Sequence, residues 1–352
     1  MLRKTFGNRP TSIKQIAEAV GVHPSTVSRA LDPRKRHLVA DEVIQRIATK
    51  AQSLGYRPNH LAAGLRRGRS QLIGILLPDI TNMVFAPILA GIAEVLSRDG
   101  LAPILADAGN DASQQIAFVD RFLEQRVDGL ILATVSRDDA LVGHCLERGL
   151  PVVLVNRSEA FDRAPSVVSD DVKGMALAVD HLVSIGHQAI AHIAGPPDTS
   201  TGQLRRQGFL GAMSRHELKG FVKDAPVYSR EAGFDATTAL LRLHQSVSAI
   251  VAANDLLALG ALSAIQRDGR NCPQDISVIG HNDMPLMDVI SPPLTTVRIE
   301  HREMGRQAAQ LMLEAIEDSP RTPRHIVLAP ELIVRGSTAP LYRRSTVIRP
   351  SN

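Results

Sequence analysis

Ser25, Thr26, Ser28 and Arg29 are residues whose types and spacing suit chemistry on a partner molecule. Hydroxyls that donate and accept, beside a forked guanidinium, match base edges and phosphate oxygens. Their spacing puts them on the outer face of a helix that begins at Pro24, because Val27, Ala30 and Leu31 point inward. Upstream, Ile13, Ile16, Ala17 and Val20 fall at helical spacing and form one apolar face, and Gly21 supplies the freedom a sharp turn needs. The stretch TSIKQIAEAVGVHPSTVSRAL (11–31) therefore reads as two short helices joined by a tight turn, with the polar face on the second. That is the layout of a helix-turn-helix. Amphipathic helix pairs are common, so the rest of the chain has to support this reading.

Charge supports it. Residues 1–70 carry fourteen Lys or Arg against four Asp or Glu, a net of +10, whereas the remainder carries 26 basic and 32 acidic residues, a net of −6. A basic head on an acidic body suits a polyanion-binding module joined to a soluble domain. Aromatic residues make up only 3% with no Trp, which disfavours stacking-based recognition of RNA or single strands and leaves duplex DNA. The two cysteines, Cys145 and Cys272, are far apart and lack CxxC spacing, which fits a reducing compartment without a disulfide framework or zinc site. No apolar run reaches the length of a membrane span, and the basic N-terminus lacks the apolar core of a signal peptide. The expected location is the cytoplasm.

Several elements position these groups. Residues 1–10 read as a basic arm, DPRKRH (32–37) as a charged loop able to lie on phosphates, and Asp41 to Ser53 as a third helix buried through Val43, Ile44, Ile47, Ala48 and Ala51. Gly55 ends that helix, and Pro58 prevents its continuation. In NHLAAGLRRGRS (59–70), Asn59 can cap a short helix that Gly64 and Gly68 weaken. Composition fits either a plain linker or a segment that folds only against DNA.

From Gln71 onward, short β-branched runs alternate with amphipathic helices. The runs are 72–78, 102–108, 129–135, 151–156 and 166–171, then 189–195, 248–255, 275–281 and 294–297. Such alternation predicts parallel sheets covered on both faces, and some nine strands in two clusters predict two doubly wound lobes facing across a cleft. Ligands in such folds bind where strand C-termini meet loops. No phosphate loop, GxGxxG, nucleophile elbow or HExxH occurs, and the DD pairs at 138–139 and 170–171 read as helix caps. Neither catalysis nor a cofactor is expected. A solute-binding protein using the same lobes would call for a signal peptide and no basic head.

The residues IKQIAEAVGVHPSTVSRAL, LGYRPNHLAAGLRRGRS, IGILLPDITN, VDGLIL, RRQGF, AIVAANDLLALGAL and SPPLTTVRI, in this order, resemble the lactose-repressor/galactose-repressor (LacI/GalR) family of bacterial transcription regulators from about Thr11 to Ser337. The resemblance implies an all-α helix-turn-helix headpiece (1–57), a hinge helix or linker (58–71) and a two-lobed α/β core like a periplasmic binding protein (72–340). The implied lobes are about 72–169 with 299–330, and about 170–298 with 331–340; a tail (341–352) follows. It also implies a homodimer on a pseudo-palindromic DNA operator, controlled by a small sugar-like effector. Pro24, Ser25 and Arg29 take the positions that meet bases. Thr26 and Ser28 lie near phosphates, and Thr11 and Asn59 also lie on the DNA side. Leu65 takes the position of a leucine that wedges between base pairs, or that packs one hinge helix on its mate. Phe85, Asn156, Arg157, Arg205, Asn254 and Asn282 take the positions that line the effector cleft.

Arg205 reads either as a ligand-binding guanidinium or as half of a structural ion pair, and Asn254 and Asn282 either as ligand contacts or as strand-end caps. Three departures from the family pattern stand out. His23 replaces the usual Ser that begins the recognition helix, which predicts a poor cap or an unusual DNA contact. MVF (83–85) replaces PFF and removes an aromatic from the cleft wall. Asn156 and Asn282 stand where Asp is common, which points to an effector more anionic than a neutral sugar. The tail has no leucine heptad, so a dimer rather than a tetramer is expected. The sequence leaves open repressor or activator, and inducer or corepressor.

Overall fold

A computed structural model describes residues 11–32, 35–56, 69–317 and 322–341. The chain divides into two units, residues 1–70 and 71–352. Asn59 and Leu65 lie outside the described residues, as does nearly all of the segment 58–71 and the tail from 342 onward.

In the first unit, helices α1 (Ile13–Val20), α2 (Pro24–Ala30) and α3 (Asp41–Ser53) pack around Ile16, Val27 and Ile47, all fully buried. Ser12 and Gln15 form a reciprocal capping box at the start of α1, which satisfies two otherwise orphaned amides. Gly21 takes φ 71°, a left-handed conformation that closes the turn at no steric cost. The third helix is tied back by side chains: Arg46 Nη2 donates to the Val20 carbonyl, and Thr11 Oγ1 donates to the Leu54 carbonyl, both at 2.8 Å. With so small a core, these ties help fix α3 against α1.

The second unit holds two six-stranded sheets. Its first half runs β1 (Leu72–Leu77), α4 (Phe85–Arg98), β2 (Ala102–Asp107), α5 (Ala112–Glu124), β3 (Gly129–Leu132), α6 (Ala140–Glu147), β4 (Val152–Val155) and β5 (Ser166–Ser169). The second half runs α7 (Asp171–Ser184), β6 (Ile190–Ala194), α8 (Ser200–Arg215), β7 (Phe221–Asp224), α9 (Arg230–Leu243), β8 (Ala249–Ala252), α10 (Asp255–Arg267), β9 (Ser277–Asn282) and β10 (Thr295–Arg298). Last come α11 (His301–Glu317), β11 (His325–Leu328) and β12 (Glu331–Ile333). Strand order is β11-β5-β4-β3-β1-β2 in one sheet and β12-β10-β9-β8-β6-β7 in the other. The chain therefore passes between the lobes three times, after β5, after β10 and after β11, since α11 packs on α4 and α7 on α8.

Two expectations need correction. The described residues form twelve strands rather than nine; β7, β11 and β12 were not anticipated. All three are edge strands, short and half-exposed, so none carries the continuous apolar run of a buried parallel strand. Nor is the pairing wholly parallel: β12 runs antiparallel to β10. Helix packing in the first lobe is unusually close. A Cβ on Gly91 of α4 would run into the Arg302 carbonyl oxygen, and one on Gly305 of α11 into that of Ile88.

Candidate functional site

On α2, Val27 and Ala30 are buried, while Ser25 and Arg29 are exposed and Pro24, Thr26 and Ser28 half-exposed. The expected polar face is therefore present on one side of the helix. His23 is not a poor cap, contrary to the expectation from its residue type. Its Nδ1 accepts from the Ser25 backbone N–H at 3.2 Å and lies 2.8 Å from Ser25 Oγ. An amide can only donate, so Nδ1 is the unprotonated acceptor, and the Ser25 hydroxyl must give it its proton as well. The neutral ring then carries its hydrogen on Nε2. Thr11, read as a DNA-side residue, has its hydroxyl committed to the Leu54 carbonyl.

In the second unit, loops at strand C-terminal ends enclose a cavity of about 400 Å³. Phe85, Asn156, Arg157, Arg205, Asn254 and Asn282 all line it, drawn from both lobes. Asn156 follows β4, Asn282 ends β9, Asn254 follows β8, Arg205 lies on α8 and Phe85 opens α4. Asn156 and Asn282 have φ of 66° and 113°. The left-handed backbone at Asn156 suits Asn and Asp alike, so it does not by itself account for Asn in place of Asp.

Arg205 is 3% exposed and forms the structural ion pair that was one of its two readings. Its Nε donates to Asp171 Oδ1 at 2.8 Å and its Nη1 to the Ala253 carbonyl at 2.6 Å, yet it still faces the cavity. Asp171 is pushed up from the usual carboxylate range by burial, against the pull of Arg205. Asn254 caps α10 through Oδ1, which accepts the Leu257 N–H at 2.9 Å. Asn282 Oδ1 lies 3.2 Å from His281 Nδ1, and burial, followed by the Arg205 charge, holds His281 well below its ordinary value and neutral. Arg157 is 6% exposed, with a single long bond from Nη1 to the Thr134 carbonyl at 3.4 Å. Burial lowers its pKa, with Arg205 adding to that, while Tyr228 and Asp198 raise it.

Other lining residues went unread in the sequence. Asp79 and Asp198 also line the cavity, so its charge is more balanced than the Asn-for-Asp substitutions suggest. Tyr228 contributes an aromatic ring, which makes up for the one missing beside Phe85. It stacks against Gly195, where a Cβ would collide with its ring, and its hydroxyl lies 3.1 Å from Thr201 Oγ1. The signal for Asp79 was its place directly after a strand end. Tyr228 follows an edge strand that the periodicity does not reveal. Of the DD pairs, Asp139 caps α6 and Asp170 caps α7. Among the described residues, no cluster of His, Cys, Asp and Glu could hold a metal ion, and no helix is long and apolar enough to cross a membrane.

A helix-turn-helix unit and a two-lobed α/β core with a cavity between its lobes define the architecture of a DNA-binding regulator. Residues 12–59 match the model of bacterial regulatory proteins of the lacI family, and residues 179–338 that of a periplasmic binding protein-like domain. The chain is 34% identical to the HTH-type transcriptional regulator reg1 of Streptomyces lividans, over 94% of this chain and 97% of that one. It is 32% identical to the HTH-type transcriptional repressor CytR of Escherichia coli, with the same coverages. The lac repressor dimer bound to operator and the anti-inducer ONPF superposes with a TM-score of 0.83 at 27% identity, covering 94% of this chain and all of that chain. A CelR–cellobiose complex superposes with a TM-score of 0.71 at 28% identity, again over 94% of this chain and all of that one. The chain belongs to the LacI family of bacterial transcription regulators and is not an enzyme.

Proposed function

We propose that this chain is a repressor that binds a pseudo-palindromic operator as a homodimer and is controlled by a small effector in the inter-lobe cavity. The observation that carries the reading is the convergence of Phe85, Asn156, Arg157, Arg205, Asn254 and Asn282 on one cavity reached from both lobes. The effector class is a sugar, sugar acid or sugar phosphate. A relative named as a ribose operon repressor, and related structures holding ribose or cellobiose, support it. Phe85 and Tyr228 offer flat apolar faces for a sugar ring, and the asparagines and arginines offer hydrogen bonds to its oxygens.

In this reading the chain works in the cytoplasm as a headpiece (1–57), a hinge (58–71), a core (72–340) and a tail (341–352). Pro24, Ser25 and Arg29 read bases in the major groove, Thr26 and Ser28 meet phosphates, and Thr11 and Asn59 flank them on the DNA side. Leu65 wedges the minor groove. A ligand touching both lobes favours one arrangement about the three crossings and so shifts the population of hinge segments able to pair on DNA. A supporting parallel is the related lac repressor, seen as a dimer on its operator.

Selection of binding sites from random duplexes, with the full chain, tests this. A two-fold symmetric site is expected, and Arg29→Ala should relax one base pair per half-site. Absence of symmetry would overturn the dimer reading. A uniform loss across all sequences would make Arg29 a phosphate contact only.

A further inference from the structure

The hydrogen-bond polarity of the deep cavity wall narrows the effector class, on the reading above that the cavity is the effector site. Asn254 has its Oδ1 committed to the Leu257 N–H, and Asn282 has its Oδ1 committed to His281 Nδ1, which in the neutral ring must be the donor. What each amide has left for the cavity is its NH2 group, a donor. Arg205 and Arg157 can only donate. Four side chains, all at most 6% exposed, thus offer the cavity mainly donors, each amide oxygen already accepting one bond.

Charge follows the same direction. Asp171 neutralises Arg205 from behind, at 2.8 Å. Arg157 has no such partner among the described residues, only the Thr134 carbonyl at 3.4 Å. The two remaining carboxylates of the cavity, Asp79 and Asp198, are half-exposed and exposed, so water screens them more than the buried guanidinium. Arg157 comes from the first lobe, and its charge interacts with Arg205, Asp198 and Tyr228 of the second. A group placed between Arg157 and the second-lobe side chains Arg205, Asn254 and Asn282, which line the same cavity, would meet both lobes at once.

We infer that the effector is a sugar-like molecule carrying an anionic group, carboxylate or phosphate, and that this group docks on Arg157 against the donor face of Asn254 and Asn282. The anion supplies acceptors to every donor on that wall and relieves the repulsion between the two arginines. A neutral sugar, whose hydroxyls must also donate, finds fewer acceptors than donors among these four side chains.

The test is calorimetric titration of the full chain with matched probes: D-glucose and D-galactose against D-glucuronate, D-galacturonate and D-glucose 6-phosphate. At least one anionic probe should bind about 10-fold or more tighter than the neutral sugar of the same ring. Arg157→Gln should shrink that ratio toward one, and Arg157→Lys, which keeps the charge but loses the fork, should retain part of it. Thermal unfolding of the unliganded variants shows whether each is folded. A neutral sugar binding as tightly as its acid, a preference that survives Arg157→Gln, or a panel with no anionic binder overturns the inference. The cavity reading itself falls separately, if a sugar that does bind is indifferent to both Tyr228→Phe and Asn110→Ala, Asn110 being another residue of the cavity lining.

Discussion

Arg205 and Asp171 form an ion pair 2.8 Å apart with both side chains 3% exposed, directly behind the cavity wall. The pair joins α8 to the start of α7, immediately after the chain has passed from one lobe to the other. Ligand site and inter-lobe crossing thus share one buried charge pair. Removing one partner leaves the other charged and uncompensated, which costs about 3–5 kcal/mol in such pairs. Asp171→Asn should therefore lower the urea stability of the core by several kcal/mol. The Asp171→Asn, Arg205→Met double variant should regain part of the loss. A single variant as stable as the parent would mean that the pair contributes little.

Burial of titratable groups behind the same wall predicts how stability depends on pH. Burial holds His192 and His301 down to about 4, and His281 well below its ordinary value, so all three are neutral in the fold. The unfolded chain protonates them below about 6.5, so their stabilising contribution is lost as pH falls from 6.5 toward 4. Asp255 and Asp171 work the other way. Burial pushes Asp255 up to about 7, so the fold keeps a proton that the unfolded chain releases from pH 3.8 upward, and this contribution is lost as pH rises toward 7. Asp171 is raised in the same direction. Three histidines outweigh two carboxyls, so urea midpoints should fall between pH 6.5 and 4.5. Asp255→Asn, by removing one opposing group, should make the fall steeper. A midpoint that rises on acidification would contradict this assignment.

The Gly91 and Gly305 crossing predicts a packing cost. Either residue changed to Ala puts a methyl into the facing carbonyl oxygen, and overpacking of this kind costs about 1–3 kcal/mol. Thermal unfolding of the core should show that loss, while helicity of the first unit is retained. Unchanged stability would mean that α4 and α11 can separate without cost.

His23 and Ser25 make a prediction about DNA reading. Because the Ser25 hydroxyl proton is held by His23 Nδ1, Ser25 faces outward as an acceptor and suits an exocyclic amino group, that of adenine or cytosine, in the major groove. Ser25→Ala and His23→Ala should relax the same half-site position, each by roughly 5-fold. His23→Ser, whose hydroxyl can cap α2, should recover folding but not the preference. Effects at two different positions would show that the residues act independently.

How far these features could be read from sequence depended on how local their causes are. Helices α2 and α3 begin where Pro24 and Asp41 place them, whereas the six cavity residues were legible only as positions that the family resemblance implies. The edge strands β7, β11 and β12 were not, since a half-exposed strand of three or four residues lacks a decisive apolar period. Residue type also misled at His23, where the ring nitrogen does the work of the usual hydroxyl. The partner of Arg205 was hidden for another reason. Asp171 is 34 residues away, and no sequence spacing signals a contact made by tertiary packing.

On the proposed function, occupancy of the inter-lobe cavity controls DNA binding by the first unit. The direct measurement is operator affinity of the full chain, by fluorescence anisotropy on its selected site, with and without a ligand that raises its unfolding temperature. The ligand should change the operator Kd by about 5-fold or more, in the range of typical coupling free energies, and Arg157→Gln should reduce that change. A ligand that binds in the cavity and stabilises the core, yet leaves operator affinity unaltered, would show that the cavity does not control DNA binding.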